Sequence, residues 1–122
     1  LTFKERRDRF PEMFAASLVK DLGFAPSGGE SERDISARMT AAVASLRVRH
    51  PDETVLIVGH GGSLRAAIVA LMELPLEANW RFVMYNCSLS VFDTHPDNVI
   101  LRLYNDTSHL DGMAAGIQGA GL

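Results

Sequence analysis

Val55-Leu56-Ile57-Val58-Gly59-His60-Gly61-Gly62-Ser63 decides how the rest of this chain is read. The run from Thr54 to Val58 is apolar at successive positions rather than alternate ones, which predicts a strand buried on both faces, as in a parallel sheet. A glycine-rich turn follows at once. Ser63 is placed to cap a helix from Leu64 to about Glu73, with Leu64, Ala67, Ile68 and Leu71 as its buried stripe. In open α/β sheets, ligands collect where a strand ends and the next helix presents its N-terminus. His60 stands at such a junction. Gly61 and Gly62 allow close backbone approach to an anion, and first-turn N–H groups have no intrahelical partner. An imidazole that titrates near neutrality beside such donors suits phosphate chemistry. The same residues would also serve as a tight turn with a solvent-facing imidazole, and so short a glycine motif does not choose between the two.

Working outward, Thr2 and Glu5 form a capping box that opens a helix carrying Phe3 and Phe10. Pro11 restarts a second helix through Met13, Phe14, Leu18 and Leu22, ending at Gly23. After a loop at Ala25 to Gly29, Ser31 caps a third helix with Asp34 at its third position; Ile35, Met39, Val43 and Leu46 share one face. His50-Pro51-Asp52 closes it. Leu74-Pro75-Leu76 ends the helix after the glycine turn. Phe82 and Met84, Leu89 and Val91, then Val99, Leu101 and Leu103 alternate as strands do, the last two runs forming a hairpin about Thr94 to Asn98. Residues 111–122 are rich in glycine and alanine and read as a flexible tail. The pattern is α/β, with one domain over residues 1–110.

Composition agrees with a single core: 122 residues, 47% hydrophobic and 22% charged. A net charge of −3 with dispersed Lys and Arg gives no basic patch, so neither nucleic acid nor a membrane is an expected partner. Cys87 is the one cysteine, which excludes an internal disulfide and fits a reducing cytoplasm. No metal and no cofactor is expected. The dinucleotide fingerprint fails at Leu64, and Ser63 lacks the glycine spacing of a nucleophile elbow. His50 and His95 precede prolines in loops and read as surface residues, and His109 as a packing or hydrogen-bonding residue. Cys87 reads as a buried, inert thiol. Arg65 either aims at an anion or is solvated at a helix start. Glu30 and Ser31 are possible substrate contacts, although capping already accounts for Ser31; Arg6, Arg7 and Arg9 read as a solvated face.

Gly28-Gly29-Glu30-Ser31, Arg38, the stretch from Val55 to Gly62, Asn86-Cys87-Ser88-Leu89-Ser90, and Asn105 to Leu110 follow one another in an order that resembles the histidine phosphatase (phosphoglycerate mutase-like) superfamily. The resemblance implies a three-layer α/β/α fold, a mostly parallel sheet with an antiparallel edge, of which residues 1–110 are the C-terminal part. It implies that His60 is that family's second, catalytic histidine, donating to the transferring phosphoryl group, with Gly61 and Gly62 binding phosphate. The family's nucleophile lies in an N-terminal Arg-His-Gly, absent here. The chain alone is therefore expected to be inactive, and the missing half, or a homo-oligomer partner, is expected to cover the strand edge from Thr54 to Val58. Mutase substrate anchors are also missing, Phe3 standing near one and Ala15 to Val19 near the others. The implied activity is thus hydrolysis of a small phosphorylated substrate through a phosphohistidine, as in broad-specificity or α-ribazole-phosphate phosphatases. A phosphoglycerate mutase-type phosphotransferase, a non-catalytic module binding a phospho-ligand or partner, and an unrelated nucleotide-binding domain are the alternatives.

Overall fold

The computed structural model describes residues 1–18 and 21–111. Four helices precede a hairpin: α1 (Phe3–Arg9), α2 (Pro11–Leu18), α3 (Glu32–Arg49), α4 (Gly61–Leu71), β1 (Leu89–His95) and β2 (Asn98–Asp106), with short 3-10 turns at Leu76–Arg81 and Ser108–Leu110. The architecture is mixed α/β. Both predicted capping boxes are present: Thr2 with Glu5 starts α1, and Ser31 with Asp34 starts α3. Pro11 opens α2 as expected, but residues 21–23 form a turn rather than more helix, because the Asp21 carboxylate accepts the Gly23 N–H at 2.9 Å. Apart from Asp111, the expected tail lies outside the described residues.

The core is the contact between α3 and α4. Met39 and Val43 meet Ala66 and Ala67, flanked by Ile35 and Leu71. Small residues at the contact let the two helices lie close together. Each end of α3 is then tied elsewhere. At its start Glu32 accepts from Asn79 Nδ2 at 3.0 Å; at its end Arg47 donates to the His95 carbonyl at 2.8 Å. Asn79 is fully buried, and its Oδ1 has no partner among the described residues.

The hairpin turns at Pro96-Asp97, with His95 opposite Asn98, as the sequence predicts. Asp93 and Arg102 pair across it at 2.6 Å. Irregular register near Val91 leaves Ser90 to accept the Asn105 N–H at 3.0 Å, while Asn105 Oδ1 takes the Tyr85 N–H at 2.9 Å. These bonds hold Asn105 in its left-handed conformation, φ 53°.

Two strand expectations are corrected. Residues 54–58 are neither in a ladder nor buried: Leu56 is 78% and Val58 86% exposed, and the hairpin is the one sheet among the described residues. An apolar run is buried in a parallel sheet only when strands flank it, and none does here. Residues 82–84 also pair with no strand. Phe82 packs on Tyr104 instead, with ring centroids 5.9 Å apart, and the Tyr104 hydroxyl donates to the Val83 carbonyl.

The α3 cap gives a stability prediction. The Ser31 backbone N–H and then its hydroxyl hold the Asp34 carboxyl below its usual range. A depressed carboxyl stabilises the fold above its unfolded value of 3.8, and that contribution drains away as pH falls through the lower folded value. Urea unfolding should show Ser31→Ala costing about 1 kcal/mol at neutral pH. Between pH 5 and strongly acidic conditions, Asp34→Asn should lose less stability than the natural sequence.

Candidate active site

Helix α4 begins at Gly61, not at Leu64, and His60 is its cap residue with φ −92° and ψ 161°. Ser63 therefore lies inside the first turn and caps nothing. Its hydroxyl donates back to the His60 carbonyl at 3.0 Å, the same oxygen that accepts the Leu64 N–H at 2.9 Å. Such back-bonding is the usual alternative for a serine within a helix. The imidazole supplies no cap bond either. The first N–H groups of α4, on Gly61, Gly62 and Ser63, thus lie ahead of any intrahelical acceptor and carry the positive end of the helix dipole.

Glycine has distinct reasons at two positions here. A Cβ on Gly59 would meet Ser63 Oγ at 3.1 Å, so Gly59 makes room for the serine that folds back. A Cβ on Gly62 would meet nothing of this chain within 4 Å. Its bareness serves whatever approaches from outside. His60 is exposed, with Gly61 and Gly62 half-buried beside it. The structure brings together the three residues the sequence singles out.

Other sequence-level candidates part company. Glu30 is taken by Arg38, whose Nε and Nη2 each donate to it at 3.0 Å. Cys87 is exposed rather than buried, because a left-handed turn at φ 59° carries it out of the flanking apolar runs. His95 and His109 are exposed, and His50 caps the end of α3 with Nδ1 3.7 Å from Glu53. Among the described residues no cluster of His, Cys, Asp and Glu could hold a metal ion. A cavity of about 590 Å³ lies between α1, α2 and Trp80, with none of the His60 turn in its walls. Arg65 is the residue that sequence reasoning left undecided. It is buried, at 7% exposed, and its Nε has no partner among the described residues. Its position four residues after Gly61, in a stripe that continues through Ile68, Val69 and Met72, was the available signal.

A site of bare N–H groups beside an imidazole can hold an oxyanion and donate to it. Gly62→Ala separates that role from folding. The added methyl has room within this chain, and alanine suits a helix better than glycine by roughly 0.5–1 kcal/mol. Thermal unfolding should therefore show Gly62→Ala as stable as the natural sequence or more so, while calorimetric titration shows weaker binding of inorganic phosphate.

Comparison with known proteins places this turn in context. The sequence matches the histidine phosphatase superfamily (branch 1) over residues 1–107. It is 33% identical to phosphoserine phosphatase 1 of Hydrogenobacter thermophilus across 88% of this chain and 51% of that protein. Bacillus stearothermophilus YhfR superposes with a TM-score of 0.75 at 32% identity, covering 90% of this chain and 55% of that one. A mycobacterial glucosyl-3-phosphoglycerate phosphatase solved with VO3 superposes with a TM-score of 0.71 at 30% identity, covering 88% and 57%. The chain spans about half the length of the curated relatives it matches. With nearly all of its described residues inside that match, the chain belongs to the histidine phosphatase superfamily.

Proposed function

We propose that this chain forms the charge-stabilising half of a phosphomonoester hydrolase that works through a phosphohistidine. The observation that carries the reading is the uncapped start of α4, where exposed His60 stands beside the Gly61 and Gly62 N–H groups and a Cβ on Gly62 would meet nothing within 4 Å. The nucleophilic histidine is supplied from outside these residues, since no Arg-His-Gly occurs among them. In the first step its ring nitrogen bonds to phosphorus as the ester P–O bond breaks, and the departing alcohol takes a proton from a carboxylic acid, also supplied from outside. In the second step water attacks phosphorus and gives a proton to the same carboxylate, which step one left as a base; the N–P bond breaks, and orthophosphate leaves. Both steps redistribute charge over the phosphoryl oxygens. His60 and the two glycine N–H groups donate to those oxygens, and being fixed in advance they need no reorganisation when charge develops.

Residues 54–58 receive a strand from the completing half, or from a second copy. Four consecutive apolar side chains, Val55 to Val58, are exposed in a segment that pairs with no strand, which makes it a candidate for strand addition. Relatives named for phosphoserine and glucosyl-3-phosphoglycerate make phosphomonoesters of small hydroxy acids the first substrates to try. VO3 on a related phosphatase supports an oxyanion site, as vanadium oxyanions have the shape and charge of phosphate. A lone cysteine suits work in the cytoplasm, and no helix among the described residues is long and apolar enough to cross a membrane.

The test follows phosphate release from phosphoserine by the natural full-length protein. Removing one donor to a developing oxyanion typically costs about 10²–10³ in kcat, and His60→Ala should lose activity on that scale. Near-natural hydrolysis by the variant contradicts the role of His60. Efficient phosphoglycerate mutase turnover without phosphate release contradicts the hydrolase reading.

A further inference from the structure

The cavity of about 590 Å³ between α1, α2 and Trp80 carries a set of side chains that the phosphate reading does not use. Its size is that of a small-molecule site, a class that spans roughly 300–1,000 Å³. Phe10, Phe14, Phe24 and Trp80 share its walls. They come from the junction of α1 and α2, from α2, from the loop before α3 and from the 3-10 turn at Leu76–Arg81, so the lining is assembled by the fold rather than by one apolar helix stripe. Aromatic walls suit an apolar body and favour a cation beside it.

The charged groups of the walls divide by sign and by element. Arg6 on α1 is the cation; it has no ion pair among the described residues, and its guanidinium carbon lies 5.8 Å from the Phe3 ring centroid. Asp21, in the turn after α2, and Glu30 and Glu32, at the start of α3, are the carboxylates. Glu30 is already neutralised by Arg38 through two hydrogen bonds of 3.0 Å. Asp21 and Glu32 are half committed. One Asp21 oxygen accepts the Gly23 N–H and one Glu32 oxygen accepts from Asn79 Nδ2, and the second oxygen of each has no hydrogen-bond partner among the described residues. Glu32 is the better fixed of the two, because the amide that holds it is fully buried.

The walls thus offer an unpaired guanidinium, two free carboxylate oxygens and an aromatic lining. A ligand that answers all three carries a carboxylate, an ammonium and an apolar body. We propose that this cavity binds a free amino acid with an apolar side chain, its carboxylate held by Arg6, its ammonium by Glu32 and Asp21, and its side chain among the four aromatic residues. A guanidinium receives a carboxylate through paired N–H donors, and an ammonium has three donors, enough for both acids. A purely apolar ligand would desolvate these charges without pairing them, and a phosphate ester would meet two carboxylates. The proposal is independent of the phosphate reading, since no residue of the His60 turn lies in these walls.

Calorimetric titration of the natural full-length protein tests it with three probes of one shape: L-phenylalanine, 2-phenylethylamine, which lacks the carboxylate, and 3-phenylpropanoate, which lacks the ammonium. Phenylalanine should bind about tenfold or more tightly than either, the loss expected for one charged hydrogen-bonding group. Arg6→Gln should weaken phenylalanine and leave phenylethylamine unchanged. Glu32→Gln keeps an acceptor for Asn79 but removes the charge; it should weaken phenylalanine and phenylethylamine and leave phenylpropanoate unchanged. A change in packing alone would move all three probes together, and that result overturns the proposal. So do equal affinities for the three probes, or no binding of phenylalanine at millimolar concentration. Should Glu32→Gln fail to fold, Arg6→Gln decides, because Arg6 is exposed.

Discussion

Ala66 and Ala67 of α4 pack with Met39 and Val43 of α3, and the position of the His60 turn at the start of α4 follows from that contact. Larger side chains would push the helices apart and shift the start of α4 with them. Because α3 is held at one end by the Glu32 to Asn79 bond and at the other by the Arg47 to His95 bond, α4 rests on a helix that is itself located twice. The proposed site is thus carried on a rigid element, and the donors it assigns to Gly61 and Gly62 are backbone groups that no rotamer change can misplace. His60 alone among them depends on a side-chain conformation, and its extended backbone at the helix cap keeps the imidazole out of the helix.

The same geometry explains why the segment before His60 stands out. Between α3 and α4 the chain carries an exposed apolar run, residues 54–58, that belongs to no ladder. A run of that composition is stable in water only when flanked on its edges and covered on its faces. In the proposed reading the site and the edge are consecutive in sequence, residues 54–58 leading straight into the His60 turn.

Local chemistry was legible in the sequence wherever a few neighbouring residues determine structure. The Thr2 and Ser31 boxes, the proline start of α2, the face of α3 and the hairpin about Pro96-Asp97 depend on contacts within a turn or two, and the sequence displays them. Membership of the superfamily was legible for a similar reason, as motif order survives where individual residues change. Residues 54–58 and 82–84 were misread because strand formation needs a partner, which a single segment does not contain. Ser63 illustrates a closer competition. A serine can cap the helix ahead of it or bond back into the preceding turn, and Gly59 made the second choice possible by leaving space. Cys87 and Arg65 were misjudged or left open for one reason: burial is a property of the assembled fold, not of the flanking residues.

The central claim is that an oxyanion sits at the start of α4. A crystal structure of the natural full-length protein with orthovanadate tests it directly. The account predicts vanadate oxygens about 3 Å from the Gly61 and Gly62 nitrogens and from the His60 imidazole, within ordinary hydrogen-bond range. Vanadate bound elsewhere, for instance in the cavity beside α1 and α2, with the His60 turn left to water, would contradict it.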